Sequence, residues 1–229
     1  MKANRRVNFE FKNQVSPRYV EPLFLQLETG IWYTSTELQQ QLRDSGLDVQ
    51  GKGIVLANIA FWDRVGLGDV QRQVPGQPNL FRLGPFGKRV QALYSTNRSL
   101  FFDVMHYLFY SAWRRSRHLD HAPFWLYGKI CDILWQEAPS KMDSMKLTGR
   151  LQSESRQAFP EQSPSFPERS VRSVFPWLGE LKPPFLSPCG SRSDLCSERR
   201  SYCAPQLFHL AVDLAYHEVG LSYGTSLAI

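Results

Sequence analysis

Cys189, Cys196 and Cys203 recur at a C-x6-C-x6-C spacing, with His209 following and His217 beyond it. Thiolates and imidazoles are zinc ligands, but zinc sites usually present tight cysteine pairs two to four residues apart. The wider spacing predicts loop thiols and no metal. Asp103 and His106 stand three apart inside the apolar run "LFFDVMHYLFYSAWRR", a combination that could serve acid–base or metal chemistry. No further ligand stands nearby at a diagnostic spacing, so the pair is expected to be satisfied inside the core or at its edge. The chain has no P-loop, no G-x-G-x-x-G after a strand, no G-x-S-x-G and no H-E-x-x-H. The expectation is a protein that is not an enzyme and takes no cofactor.

The chemistry that remains is that of cations. The 229 residues hold 27 Lys and Arg against 21 Asp and Glu, a net charge of +6 and a pI near 9.2. Such a balance favours a polyanionic partner. Arg72, Arg82, Lys88 and Arg89 cluster around the turn-rich "VPGQP", placed to touch phosphates. Lys52, Asn58 and Arg64 are the polar candidates on the apolar segment before it. Arg169 and Arg172 fall three apart, on neighbouring turns of one helix face, where they could meet phosphates or simply solvate that face.

These side chains need elements to position them. Residues 1–18 are polar and basic (Lys2, Arg5, Arg6, Lys12 and Arg18 against Glu10) and are expected to form an arm, for phosphates or for solubility. "YVEPLFLQLET" places Val20, Leu23, Phe24 and Leu27 on one face at helical spacing, with Gly30 as its stop. "YTSTELQQQLRDSG" carries a capping box, Thr34 with Glu37, and ends at Gly46. "KGIVLANIAFWDRVG" predicts a third helix with Ile54, Val55, Ile59, Trp62 and Val65 inward. "DVQRQV" and "NLFRL" then pair as antiparallel strands across the turn. Three helices and a hairpin are the order of a winged helix-turn-helix over residues 19–95. In that fold the third helix enters the major groove and the hairpin meets the backbone.

Residues 96–140 are expected to be a helical scaffold: one helix buried on nearly all sides, then "HAPFWLYGKICDILWQEAP" with Trp125, Ile130, Ile133 and Leu134 inside. Residues 141–229 loosely echo the first module. "MKLTGRLQSESRQAF", weakly capped by Thr148, matches the second helix, and "SFPERSVRSVFPWLGELKPPFL" the third. Pro176 must either kink that helix or restart it as a first-turn residue. "KPPFLSPCGSRSD" is too proline-rich for a central strand, so no second wing is expected and the unit is a degenerate helix-turn-helix. A last helix, "PQLFHLAVDLAYHEVG", should pack on the scaffold.

The segments "LFFDVMHYLFYSAWRR", "APFWLYGKI", "RSVRSVFPWLGEL" and "LAVDLAYHEVGLSYGTSLAI" resemble an uncharacterised prokaryotic family encoded near phage-defence and DNA-modification genes, over about residues 80–229. The resemblance implies a defence-associated, helix-rich, DNA-binding accessory protein and carries over no active-site residues. The expected fold is therefore mainly α. The expected function is contact with nucleic acid, duplex DNA first, as a regulator or a subunit of a defence nucleoprotein complex. The alternative is a protein–protein adaptor that packs its winged helix on partner subunits. No secretory or membrane-spanning segment is evident, which predicts a cytoplasmic chain with its four cysteines mostly reduced.

Overall fold

The computed structural model describes residues 8–12, 14–47, 53–73, 77–162, 164–190, 194–200 and 209. These are mainly helical and fall into two units: Phe11–Phe101, and the described residues of Met1–Glu10 with Phe102–Ile229. This differs from the four-part division expected from sequence, since the boundary falls inside a continuous helix. The hairpin tip at 74–76 and the expected C-terminal helix, His209 excepted, lie outside the described residues. So do Cys203 and His217. Among the described residues no helix is long and apolar enough to cross a membrane.

In the Phe11–Phe101 unit the expected first helix is replaced by two 3-10 turns, Pro17–Tyr19 and Phe24–Gln26. The apolar face is as expected, with Val20, Leu23, Phe24 and Leu27 all buried. Pro22 breaks the α-helix, because it lacks an N–H and its ring clashes with the carbonyl four residues back. Strand β1 (Trp32–Thr34) leads into helix α1 (Ser35–Asp44). The capping box forms: the Glu37 N–H donates to Thr34 Oγ1 at 3.2 Å, and the Thr34 N–H to Glu37 Oε2 at 2.6 Å. These bonds hold the Glu37 carboxyl below its ordinary range. Helix α2 (Gly53–Arg64) buries Val55, Ile59 and Trp62. Gly46 and Gly66 stop the two helices at φ values of 78°, a left-handed conformation glycine adopts without a Cβ penalty.

Strands β2 (Gly68–Gln71) and β3 (Leu80–Leu83) form the expected hairpin. The sequence did not show that β1 joins them. The sheet order is β1-β3-β2, all antiparallel, with Phe81 opposite both Tyr33 and Val70. Trp62 lies 5.1 Å from the Phe24 ring and 5.7 Å from Phe81, centring the core between helix, turn and sheet. Helix α3 (Pro85–Thr96) follows, with Pro85 in its first turn. Gln91 anchors it by donating to the carbonyls of Phe24 and Leu27, both at 2.9 Å.

Gly87 sets how closely α3 approaches the hairpin. A Cβ there would lie 2.0 Å from the Leu67 carbonyl oxygen and 2.6 Å from Leu83 Cδ1. Gly87→Ala is therefore expected to destabilise this unit by about 1–3 kcal/mol, the usual cost of overpacking. Denaturant unfolding checks this, and an unchanged midpoint would contradict the contact.

The second unit takes most of α4 (Arg98–Arg115), then α5 (Ala122–Glu137), β4 (Ser140–Lys141) and α6 (Ser144–Ala158). It continues with α7 (Glu168–Arg172), α8 (Phe175–Gly179), β5 (Leu186–Pro188) and β6 (Leu195–Ser197). Asp143, not Thr148, caps α6, accepting from the N–H groups of Met145 and Lys146. Thr148 is inside the helix and donates to the Ser144 carbonyl at 2.7 Å. Pro176 restarts the chain as a first-turn residue of α8.

The expectation of no second hairpin is corrected. β5 and β6 pair antiparallel, and the sheet runs β4-β6-β5, the same order as β1-β3-β2. Proline does not prevent this, because Pro188 sits on the edge strand β5, where a missing N–H need not break the ladder. Cys189 and Cys196 are joined as a disulfide, so these two are not the reduced thiols expected, while Cys131 is a buried free thiol. The basic arm is also corrected for its described part. Phe9, Phe11 and Val15 are buried. Phe9 sits edge-on to Phe159 at 4.8 Å in the second unit, and Phe11 edge-on to Phe61 at 4.9 Å in the first.

Candidate nucleic-acid interface

The polar and basic candidates of the Phe11–Phe101 unit are placed differently. Asn58 is not available to a base: it is buried, and its amide donates to the carbonyls of Gln14 and Ile54, both at 2.9 Å. It faces inward because α2 turns its apolar stripe to the core and position 58 shares that stripe with Val55 and Trp62. Lys52 lies outside the described residues. Arg64 is half-buried, its guanidinium 5.9 Å from the Phe61 ring centroid.

The outward face of α2 carries Gly53, Leu56 and Asp63. Leu56 is 40% exposed. Asp63 accepts from the Val70 N–H at 3.3 Å and so ties β2 to the end of α2, and its partial burial raises its carboxyl above the ordinary value. With Asp63 engaged by Val70, the rest of this face, Gly53 and Leu56, offers base edges no side-chain donor or acceptor.

On the hairpin, Arg82 is committed within the sheet. Its Nη2 lies 2.8 Å from Asp69 Oδ2 on the paired strand, and its guanidinium sits 4.7 Å over the Trp32 ring. Arg72, just past the end of β2, is exposed. Lys88 and Arg89 are exposed on α3, whose twelve residues include no carboxylate. Lys88 Nζ donates to Gln91 at 3.0 Å, and Arg89 lies 5.9 Å over the Phe86 ring. Both heads are steered yet accessible. Sequence reasoning grouped these cations with the hairpin and missed α3, although Gly84 followed by Pro85 is a helix-start signal.

Arg169 and Arg172 belong to the other unit, on α7, and both are exposed. Arg169 lies 3.5 Å from the Glu10 carboxylate. A pair so exposed contributes little to stability, so this guanidinium can exchange partners cheaply.

Asp103 and His106 do not form a site together. Asp103 Oδ1 lies 2.8 Å from Arg200 Nη2, both nearly enclosed. His106 Nδ1 bonds the Tyr127 hydroxyl at 2.9 Å. The disulfide removes two of the spaced cysteines as metal ligands. Among the described residues no cluster of three or more His, Cys, Asp or Glu could hold a metal ion.

Burial first, and the Arg200 charge second, hold the His106 imidazole down at about 3, so it is neutral near pH 7. A depressed imidazole contributes stability that is complete above its unfolded value of about 6.5 and is lost as pH falls toward 3. Asp103 acts in the opposite sense, since burial raises its carboxyl despite Arg200, favouring the fold at low pH. His106→Gln is therefore expected to flatten the loss of stability between pH 6.5 and 3 relative to the wild-type chain. Matching slopes in urea titrations across that window would contradict it.

No family model, curated protein or solved structure matches this chain.

Proposed function

We propose that the chain is a non-enzymatic nucleic-acid-binding accessory protein. Its Phe11–Phe101 unit is a winged-helix module that holds the phosphate backbone of duplex DNA rather than reading bases. The observation that carries this reading is the exposed, carboxylate-free cationic face of α3 at Lys88 and Arg89, beyond a hairpin that ends in exposed Arg72. The strand order β1-β3-β2 around α1 and α2 supports the winged-helix assignment, and its recurrence as β4-β6-β5 supports a second, degenerate module. Phosphate contacts fix register without carrying sequence information, which suits an α2 whose outer face lacks base-reading groups. Service in a larger defence complex is part of the same proposal and rests on the family resemblance.

Fluorescence anisotropy with random duplex DNA, single-stranded DNA and RNA at two salt concentrations tests this. Duplex binding that weakens steeply with salt is expected. Absence of binding to all three at low salt would overturn the reading.

One set of observations favours the adaptor instead. Ile31 is 44% exposed, Trp32 36% and Leu56 40%, exposed apolar side chains of the type that protein interfaces enrich. Capture of a partner that survives high salt and is lost in Leu56→Asp would favour that alternative.

A further inference from the structure

Two cavities of the second unit share one wall. The larger, about 480 Å³, is lined by rings: His106, Tyr110, Trp135 and Phe185, with Asp132 and Arg200. The smaller, about 240 Å³, is lined by cations: Arg114, Arg117 and Lys129, beside Trp113. Tyr110 and Asp132 line both, and the Tyr110 hydroxyl donates to Asp132 Oδ1 at 2.8 Å. The two spaces therefore lie on either side of one hydrogen-bonded pair bridging α4 and α5.

The chemistry changes in steps along this groove. On α5, Trp135, Asp132 and Lys129 follow at three-residue intervals, each a rise of about 4.5 Å along the helix. That is ring, then acceptor, then cation. On α4, Tyr110 and Arg114 fall at i and i+4, on one helix face, and Arg117 follows two residues past the helix end. Trp135 is 44% exposed, an indole that the core does not need. It stands 6.2 Å from Phe185 at a 44° tilt, and both rings line the larger space. Arg114 lies 5.3 Å over the Tyr110 ring, which directs it along the groove, and Arg114 and Arg117 are both exposed.

From this order we infer that the groove between α4 and α5 binds a nucleotide unit. The base stacks on Trp135, a base amino group or sugar hydroxyl donates to Asp132, and the phosphate sits at Arg114 and Arg117. Aromatic faces beside a cationic track are the physical basis of sequence-tolerant binding of unpaired nucleotides. The larger space lies within the range of small-molecule sites and is mostly ring-lined, with a few convergent polar groups. The inference is independent of the α3 interface, because every residue it uses belongs to the other unit.

The test uses the full chain carrying Lys88→Glu and Arg89→Glu, so that loss of duplex binding at α3 cannot be confused with loss at the groove. Adenosine 5′-monophosphate is titrated against tryptophan fluorescence, and a labelled ten-nucleotide single strand is followed by anisotropy. Saturable binding is expected. Trp135→Ala should weaken it about 5- to 150-fold, the range for one base–aromatic stack. Arg114→Ala with Arg117→Ala should lower the salt slope for the single strand by about 1.4. Binding of the monophosphate makes the ligand a free nucleotide, and binding of the strand alone makes it an exposed nucleotide within a chain. Either supports the site. No saturable binding of either probe overturns it, as does binding indifferent to both the Trp135 and the arginine variants.

Discussion

A chain carrying Lys88→Ala and Arg89→Ala is expected to bind duplex DNA about 60-fold more weakly than the wild-type chain at 0.1 M salt. Each phosphate contact releases about 0.9 counterion, worth about eightfold at that concentration, and two contacts multiply. The plot of log K against log salt should lose about 1.8 from its slope. Both side chains are exposed and Gln91 keeps its own anchor to Phe24 and Leu27, so the fold should persist. Arg72→Ala should remove about 0.9 more from the slope if the hairpin reaches the backbone. Arg82→Ala is the informative contrast. Its guanidinium is drawn toward Asp69 and Trp32, whose carboxylate and ring offset part of its charge, leaving fewer donors turned to phosphate. It should change the slope less than Arg72 does. Equal affinities for the wild-type and α3-substituted chains would rule out α3 as the contact surface.

Arg200→Ala should be the most destabilising single change in the second unit, by about 3–5 kcal/mol. That is the usual cost of removing one partner from a buried ion pair. The Arg200 side chain is 9% exposed and that of Asp103 3%. Arg200 also donates from Nε to the Pro183 carbonyl and from Nη2 to that of Lys182, both at 2.9 Å. One guanidinium thus fastens the segment after β6 to α4 and to the loop after α8. Its loss leaves a buried carboxylate without its counter-charge and two carbonyls without their donor. The double variant Asp103→Leu/Arg200→Met should recover much of the loss, because an uncompensated buried charge costs more than an absent pair. Urea unfolding of the two variants provides the check. A loss below about 1 kcal/mol for Arg200→Ala would mean that the pair is hydrated in solution.

Local signals in the chain identified helices where they were unopposed. Thr34, Glu37 and Gly46 bound α1 by capping chemistry that needs no tertiary partner, and the Pro-Gly-Gln-Pro turn announced the β2–β3 hairpin. The first-helix expectation failed at Pro22, whose effect on the backbone outweighed a correct apolar period. The second hairpin failed for the reverse reason. Pro188 excludes a central strand but not an edge, and which strand is the edge depends on β4, more than forty residues earlier.

The cationic candidates divide in the same way. Composition alone pointed to a polyanion partner, and the charges of Arg72, Lys88 and Arg89 could be picked out in the chain because the surface keeps them. It could not show that Asn58 faces inward, since one position on a helix reads as polar whether it meets Gln14 or solvent. Nor could it show that Arg82 is held by Asp69, a partner fixed only by strand register. The groove on the second unit was invisible, because Tyr110 and Asp132 meet across twenty-two residues and neither belongs to a motif. Helix ends, turns and net charge are properties of neighbours in the chain, and the sequence by itself determined them. Burial, register and the meeting of α4 with α5 are properties of neighbours in space, set by how apolar faces pack, and only the tertiary structure decided them.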